Sequence, residues 1–381
     1  MPHTDKSANS WCKDWANTAP RKETTINLEW AETPAEVKEK ITIFPNASRG
    51  KENSLVPHYT WNIVDASKLE TYMECPRRFF YKYVLGWDNE YSSHDLEFGS
   101  AWHLAMEHIL RTNYSVENIA LAHELFRNHY ERYFPIETQF ELEPKSSSGA
   151  LLALAGYCSK YIDDHSNFKV LYTEVSGSIT VLKGRIMNFR MDTIIEDSEK
   201  GICSLEHKTA KSLERTFQDK WILHMQPNLY THVLYCLFPV DSVYGVIING
   251  TALYKQTART KRPPAEYLRI PCRRTPEMMN TWLHNLDHWL DLLFDDYDRM
   301  SVTSDSDDTM VAFPQNTTNC TQYWGCRFHD FCIGWANPLR YCADVPTGFI
   351  QRYWDPANPT DKPAPRFEVS DGVIKQKEVT L

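Results

Sequence analysis

Two strand-length runs carry charge where a buried strand ordinarily carries none, and they constrain this chain more than any other feature. GRIMNFRMDTIIED, from Gly184, and GICSLEHKT, from Gly201, are separated by a turn holding Asp197, Ser198, Glu199, Lys200 and Gly201. Asp192 lies inside the first run; Glu206 and Lys208 lie inside the second. Strand side chains alternate between faces, so Glu206 and Lys208 point the same way. A carboxylate or ammonium is costly to bury unless it is paired or holds a metal. Two carboxylates on adjacent strands repel unless a cation neutralises them, and hard oxygen donors suit Mg²⁺ or Mn²⁺. Such an ion polarises a phosphoryl oxygen and acidifies a bound water. Lys208 can then orient that water or stabilise charge growing on a phosphate. The peptide carbonyl of His207 is a further candidate ligand, with its side chain on the opposite face. A structural ion pair remains open on spacing alone.

The surrounding pattern places these runs in an α/β chain. Helices are expected through KLETYMECPRRFFYKYVLGW, where Pro76 kinks or restarts the helix, then at GSAWHLAMEHIL, ENIALAHELFRNHYERYF and LLALAGYCSKYIDD. KVLYTEVSGSITV reads as two strands about a Ser176–Gly177 turn. After the charged runs come a helix in WILHMQPNLYTHVLYCLF, with Pro227 near its start or at a kink, a strand in SVYGVIINGTALYK and a long helix in PEMMNTWLHNLDHWLDLLFDDYDRM. Helices, a meander, a helix and a strand make an α/β core with a helical subdomain in front. The boundaries read as an N-terminal extension over 1–60, with one strand near TTINLEW, a helical subdomain over 61–168, the core over 169–300, a cysteine segment over 301–344 and a Pro-rich, loosely packed tail over 345–381.

Composition narrows the class. With 42% hydrophobic and 13% aromatic residues the chain is a folded globule. It has no run of about 18 apolar residues, so no membrane span is expected, and the start lacks the apolar stretch of a signal peptide. A cytoplasmic location follows. The net charge of -9 opposes nucleic-acid binding in bulk, yet seven Lys and Arg against one Glu fall between Lys255 and Arg274. A basic stripe on an acidic protein can still meet phosphates.

Other residues join the charged strands. His103 sits on an apolar helix four residues after Gly99, whose small size permits close approach. Gln226 and Tyr230 are four apart, on one helix face. Glu174 is an acid in the preceding strand run. CPRRFFYKYV interleaves Arg77, Arg78 and Lys82 with aromatics that either stack on bases or, more simply, fill a helix core. Lys211, Arg215 and Lys220 follow the second run and are candidates to line a substrate path.

Among ten cysteines, Cys320, Cys326 and Cys332 stand out as C-x5-C-x5-C. In a cytosolic chain they point to metal rather than disulfides, and they offer three corners of a tetrahedral site.

Taken in order, CPRRFFYKYVLG, FGSAWH, GRIMNFRMD, EHKT and QPNLY resemble the PD-(D/E)XK nucleases of the RecB/AddB-like branch, over about residues 61–340. That branch includes phage exonucleases, exonuclease V and CRISPR-associated adaptation nucleases. The resemblance implies a restriction-endonuclease-like fold, a central mixed sheet flanked by helices with a helical subdomain and a C-terminal iron–sulfur clip. It implies that His103, Asp192 and Glu206 hold Mg²⁺ or Mn²⁺, that Lys208 supports the attacking water, and that Gln226 and Tyr230 position DNA or neighbouring groups. Glu174 matches a frequent acid of the first core strand, with a solvated glutamate as the other reading. Iron–sulfur members use one cysteine before the core and three after it, which implies a [4Fe–4S] cluster on Cys75, Cys320, Cys326 and Cys332. The trailing trio commonly reads C-x2-C-x5-C; here Tyr323 stands where the nearer cysteine would sit. Zn²⁺ is the alternative, with His329 then able to replace a thiol. The implied activity is a DNA exonuclease acting from a free end in recombination, repair or phage DNA processing, in the host cytoplasm if phage-encoded. No Walker motif occurs, so no helicase activity is expected within the chain; the resemblance implies a helicase or recombinase partner, since relatives are often fused or tethered to one. An endonuclease, a flap nuclease or a non-catalytic DNA-end-binding module are the alternatives.

Overall fold

Pro76 decides how the chain enters its fold. In this computed structural model, which describes residues 53, 55–259, 261–321, 325–358, 365–370 and 372–376, helix α1 (Ala66–Glu74) is capped by Asp65, whose carboxylate accepts the Lys68 N–H. Cys75 then turns extended, at φ −165°, because the residue before a proline avoids the helical region. Pro76 opens α2 (Pro76–Phe79) at a position that needs no N–H, and a π turn continues it over Phe80–Val84. The expected kink is thus a restart. The strand expected near TTINLEW, and Tyr323, lie outside the described residues.

Strand β1 (Trp87–Asn89) leads to α3 (His94–Arg111), α4 (Val116–Tyr130), α5 (Ser147–Lys160) and a turn of helix, α6 (Asp164–Asn167). Ser115 and Ser146 cap α4 and α5 with their side chains. The meander follows as β2 (Phe168–Thr180), β3 (Ile186–Asp197) and β4 (Gly201–Ala210), then α7 (Arg215–Ile222), α8 (Met225–Leu237), β5 (Val243–Leu253), β6 (Ala265–Cys272) and α9 (Pro276–Ser301). The chain ends through α10 (His329–Gly334), β7 (Phe349–Gln351), β8 (Phe367–Ser370) and β9 (Val373–Gln376).

Seven strands form a mixed sheet in the order β6-β5-β4-β3-β2-β8-β9, and β1 pairs separately with β7. β4 runs parallel to β5, and β2 parallel to β8; the other neighbours in the sheet are antiparallel. A core lies on each face. On one, α1, α2, α8 and α9 bury Leu69, Phe80, Leu229, Val233 and Leu286 against Met191, Ile194 and Ile248. On the other, α3, α4 and α5 bury Trp102, Phe126 and Leu154 against Ile195, Cys203 and Leu205. Cys203 and Leu205 on one face, alternating with Ser204 and Glu206 on the other, follow the period-2 rule.

Three expectations change. The stretch read as two strands is one strand, β2. Gly177 serves close approach rather than a turn, since a Cβ there would lie 2.8 Å from the Cβ of Val369 on β8. The helix through Pro227 is two helices, broken at His224, whose ring caps α8. The tail is not loose throughout: β7, β8 and β9 come from it, and β8 extends the sheet. The basic stripe contains β6, where Arg269 pairs with Asp164 at 2.5 Å and Arg262 with Glu266 at 2.9 Å. Among the described residues no helix is long and apolar enough to cross a membrane.

Candidate active site

The ladder between β3 and β4 runs from Asp197 opposite Gly201 to Thr193 opposite Leu205, and stops there. Past that point the strands are joined by side chains. The Asp192 N–H donates to Glu206 Oε1 at 3.2 Å, and the His207 N–H donates to Asp192 Oδ2 at 2.8 Å. Ser204, on the same face two residues before Glu206, donates its hydroxyl to Glu206 Oε1 at 2.5 Å. Each carboxylate is thus locked by a backbone N–H that the ladder leaves unpaired, and each keeps a second oxygen turned away from that bond.

Asp192 Oδ1 lies 3.0 Å from Nδ1 of His103 on α3. His103, Glu174 and Asp192 offer ligand atoms that all lie within 4.8 Å of one another. Glu174 reaches this group from a left-handed backbone, φ 51°, a conformation worth roughly 1–3 kcal/mol of strain for a residue other than glycine. Its carboxylate also pairs with Arg190 at 2.7 Å. Glu206 adjoins the trio through Asp192. Its Oε2 is buried and has no hydrogen-bond partner.

The electrostatics favour a cation here. Burial opposes ionisation of Asp192, yet His103, Lys208 and His207 hold its carboxyl well below the usual carboxylate range. Burial, and then the charge of Asp192, push Glu206 well above it. Burial also raises Glu174, with Arg190 opposing. Three buried carboxyls, one ionised and two driven towards neutrality, with one orphaned oxygen, fit a divalent ion that would ionise and satisfy them together.

Residues 64–333 match the sequence model of the PD-(D/E)XK nuclease superfamily. The chain belongs to that family. It is a metal-binding nuclease by family, with DNA the substrate the family implies. Among solved structures, a crystal structure of SSO0001 aligns over 69% of this chain and 88% of its own at 14% identity, with a TM-score of 0.24, too low to carry any argument. No curated protein matches.

In this PD-(D/E)XK nuclease the residues singled out in the sequence lie close together. Lys208 is half-buried, and its Nζ sits 5.5 Å from the centre of the Trp221 ring. Its charge lowers both Asp192 and Glu206. Gln226 Nε2 donates to the Tyr230 hydroxyl at 2.9 Å, which in turn donates to the carbonyl of Arg190. The pair therefore grips β3 two residues before Asp192. The His207 imidazole stands edge-on to that of His103, ring centres 6.1 Å apart, with Nδ1 2.9 Å from the Asn249 amide, and burial lowers its pKa to about 3. Gly99 meets nothing where a Cβ would stand; it leaves open space one turn before His103 rather than allowing close approach. Sequence reasoning missed Ser204, Arg190 and Trp221. Ser204 had a signal, since it shares the strand face of Glu206.

The aromatics of CPRRFFYKYV are core. Phe79, Phe80, Tyr81 and Tyr83 are buried, and Phe79 stacks on Phe313 at 6.0 Å. Arg77 is also buried and meets no phosphate: it donates to the carbonyls of Phe313 at 2.8 Å and Met310 at 3.1 Å. It thereby ties the stretch before the cysteine trio to α2. Of the cysteines, Cys75 is presented by the helix break, and its Sγ accepts the Asn316 N–H at 3.4 Å. The Cys326 N–H donates to the Cys320 carbonyl at 2.8 Å, which brings these two cysteines together. Burial pushes the Cys332 thiol up to about 11, Arg77 pulls it back, and Cys75, Cys326 and Cys320 push it further. Cys75, Cys320 and Cys326 thus all lie near enough to Cys332 for their charge to reach it. His329 faces Asp330 at 3.7 Å and is half exposed.

Proposed function

We propose that this nuclease is a Mg²⁺- or Mn²⁺-dependent DNA exonuclease of the RecB/AddB-like branch. The observation that carries the reading is the cluster of His103, Glu174 and Asp192 beside the orphaned Glu206 Oε2, at the point where β3 and β4 part. His103, Asp192 and Glu206 hold the ion, with Glu174 beside them and the His207 carbonyl as a further ligand. The ion, when bound, supplies Lewis-acid polarisation of the scissile phosphate and an acidified water. Lys208 donates hydrogen bonds from Nζ to the phosphate oxygen that gains charge as water adds to phosphorus. Tyr230 and Gln226 hold β3, and so Asp192, in register. Water attacks directly, and no covalent enzyme intermediate is needed. The open flank of α3 at Gly99, one turn before His103, admits a strand end, and Lys211, Arg215 and Lys220 flank its path.

The same reading assigns a [4Fe–4S] cluster to Cys75, Cys320, Cys326 and Cys332, clipping α1 and α2 to the segment beyond residue 301. Four thiolates serve an iron–sulfur cluster or Zn²⁺ alike, and it is the resemblance to the iron–sulfur members of the branch that favours the cluster. The proposed domain limits are those expected from the sequence, extension 1–60, helical subdomain 61–168, core 169–300, cysteine segment 301–344 and tail 345–381, with β8 and β9 of the tail added to the core sheet. The work fits DNA recombination, repair or phage DNA processing in the cytoplasm, the host's if phage-encoded, beside a helicase or recombinase.

The test compares linear DNA, labelled at either end, with a covalently closed circle of the same sequence, in Mg²⁺, Mn²⁺ or EDTA. Digestion of the linear form alone, dependent on the ion, supports an exonuclease. Cutting of the circle selects an endonuclease, and a flapped duplex cut at its junction selects a flap nuclease. Iron and acid-labile sulfide in anaerobically purified protein test the cluster; zinc in their place would reject it.

A further inference from the structure

Glu174 holds its place in the metal cluster from a left-handed backbone, and something must hold that conformation. The nearest constraint comes from far along the chain. The Arg366 N–H donates to the carbonyl of Glu174 at 3.2 Å. One residue later Phe367 begins the parallel pairing of β8 with β2, opposite Val175. A strand added at this edge thus starts where the strained residue sits.

The side chain of Arg366 reaches the other ligand-bearing element. Its Nε donates to Glu107 Oε1, on α3 one turn beyond His103 and on the same helix face. Glu107 is buried. The same oxygen accepts the hydroxyl of Thr173 at 2.9 Å, and Thr173 precedes Glu174. Arg111, also on α3, stands 3.9 Å from it. One residue therefore touches the backbone of the Glu174 strand and, through Glu107, the helix of His103. Close packing reinforces the seat, because Gly177 leaves room for Val369 where any side chain would collide.

We propose that Arg366 is a positioning residue for the metal centre. The β8 segment straps β2 to α3, so that Glu174 and His103 meet Asp192 with the spacing an ion requires. This rests on the reading of His103, Glu174 and Asp192 as metal ligands. A group that orients ligands without touching the ion shows itself in metal affinity, where such contacts are commonly worth about 10–100-fold.

The experiment measures Mn²⁺ binding to the full chain without DNA, by electron paramagnetic resonance of free Mn²⁺, alongside the metal-free thermal midpoint. Arg366→Ala weakens Mn²⁺ binding about tenfold with little change in midpoint, and Arg366→Lys, which returns a cation to Glu107, restores most of it. Glu107→Leu removes the acceptor from the helix side and weakens binding likewise, which keeps the test intact if Arg366→Ala does not fold. Wild-type affinity in both Arg366→Ala and Glu107→Leu overturns the proposal, as does a lowered midpoint with unchanged affinity, the mark of a merely structural edge strand. Asp192→Ala separates the underlying reading: if it binds Mn²⁺ like the wild type, or if the wild type binds none, the ligand assignment itself is wrong.

Discussion

Replacing Glu206 with glutamine makes the metal-free protein more stable at neutral pH while disabling it as a nuclease. Glu206 is fully buried, and burial with the neighbouring Asp192 charge raises its carboxyl well above the ordinary 4.5. In the unfolded chain the same group ionises near 4.5. Folding without metal therefore penalises the ionised form, by about 1.4 kcal/mol for each pK unit of mismatch. Glutamine matches the neutral side chain in shape and keeps an oxygen for Ser204 and the Asp192 N–H, but it has no proton to exchange. The expected gain is about 1–3 kcal/mol at pH 7, shrinking as the pH falls towards 4.5. The sign is opposite to that of Asp192, whose lowered pKa contributes stability above its ordinary 3.8 that is lost in more acidic solution. The two windows do not overlap. Urea unfolding of both proteins in EDTA at pH 5, 6 and 7 measures the difference. A Glu206→Gln protein less stable than wild type at pH 7, or a difference that does not change with pH, would refute the argument that Glu206 is a carboxylate awaiting a cation.

Other substitutions separate the roles. Lys208→Ala keeps DNA association but slows single-turnover cleavage by roughly 100-fold or more, because charge on the phosphate oxygen forms only as the reaction proceeds; a normal rate would return Lys208 to a structural ion pair. Tyr230→Phe removes the hydroxyl that joins the Gln226 amide to the Arg190 carbonyl, lowering stability by about 1 kcal/mol in denaturant melts; an unchanged melt would show that α8 does not grip β3. Cys75→Ser loses iron, sulfide and the broad absorbance of the cluster, and becomes protease-sensitive as the clip opens. Full iron occupancy in that variant would remove Cys75 from the ligand set.

What could be read from the sequence depended on whether the interaction was local. Asp192, Glu206 and Lys208 were legible because a tight turn and period-2 alternation bring them together within a few residues. Gln226 and Tyr230 followed from helix spacing, whereas Cys75 was singled out by the family resemblance, since nothing local ties it to a trio more than 240 positions away. Glu174 was ambiguous, because its membership depends on one left-handed torsion that no spacing encodes. Strand β6 was hidden in a basic stripe, since the partner that neutralises Arg269 is Asp164, over a hundred positions away. The strands of the tail were masked by its prolines. Arg366 was invisible for the same reason as Asp164: its meaning lies in Glu107 and Glu174, which only the folded sheet edge brings beside it. The aromatics of CPRRFFYKYV show the converse, a nucleic-acid-like pattern used to build a core.

Single-turnover cleavage of end-labelled DNA by Asp192→Ala, with Mg²⁺ or Mn²⁺ and DNA saturating, tests the centre of this account most directly. Asp192 touches His103, the His207 N–H and the Glu206 contact at once. Its loss abolishes metal-dependent cleavage while DNA binding, spread over many phosphate contacts, persists. Cleavage at the wild-type rate by that variant, or the absence of divalent-ion-dependent cleavage in the wild-type protein, would contradict it.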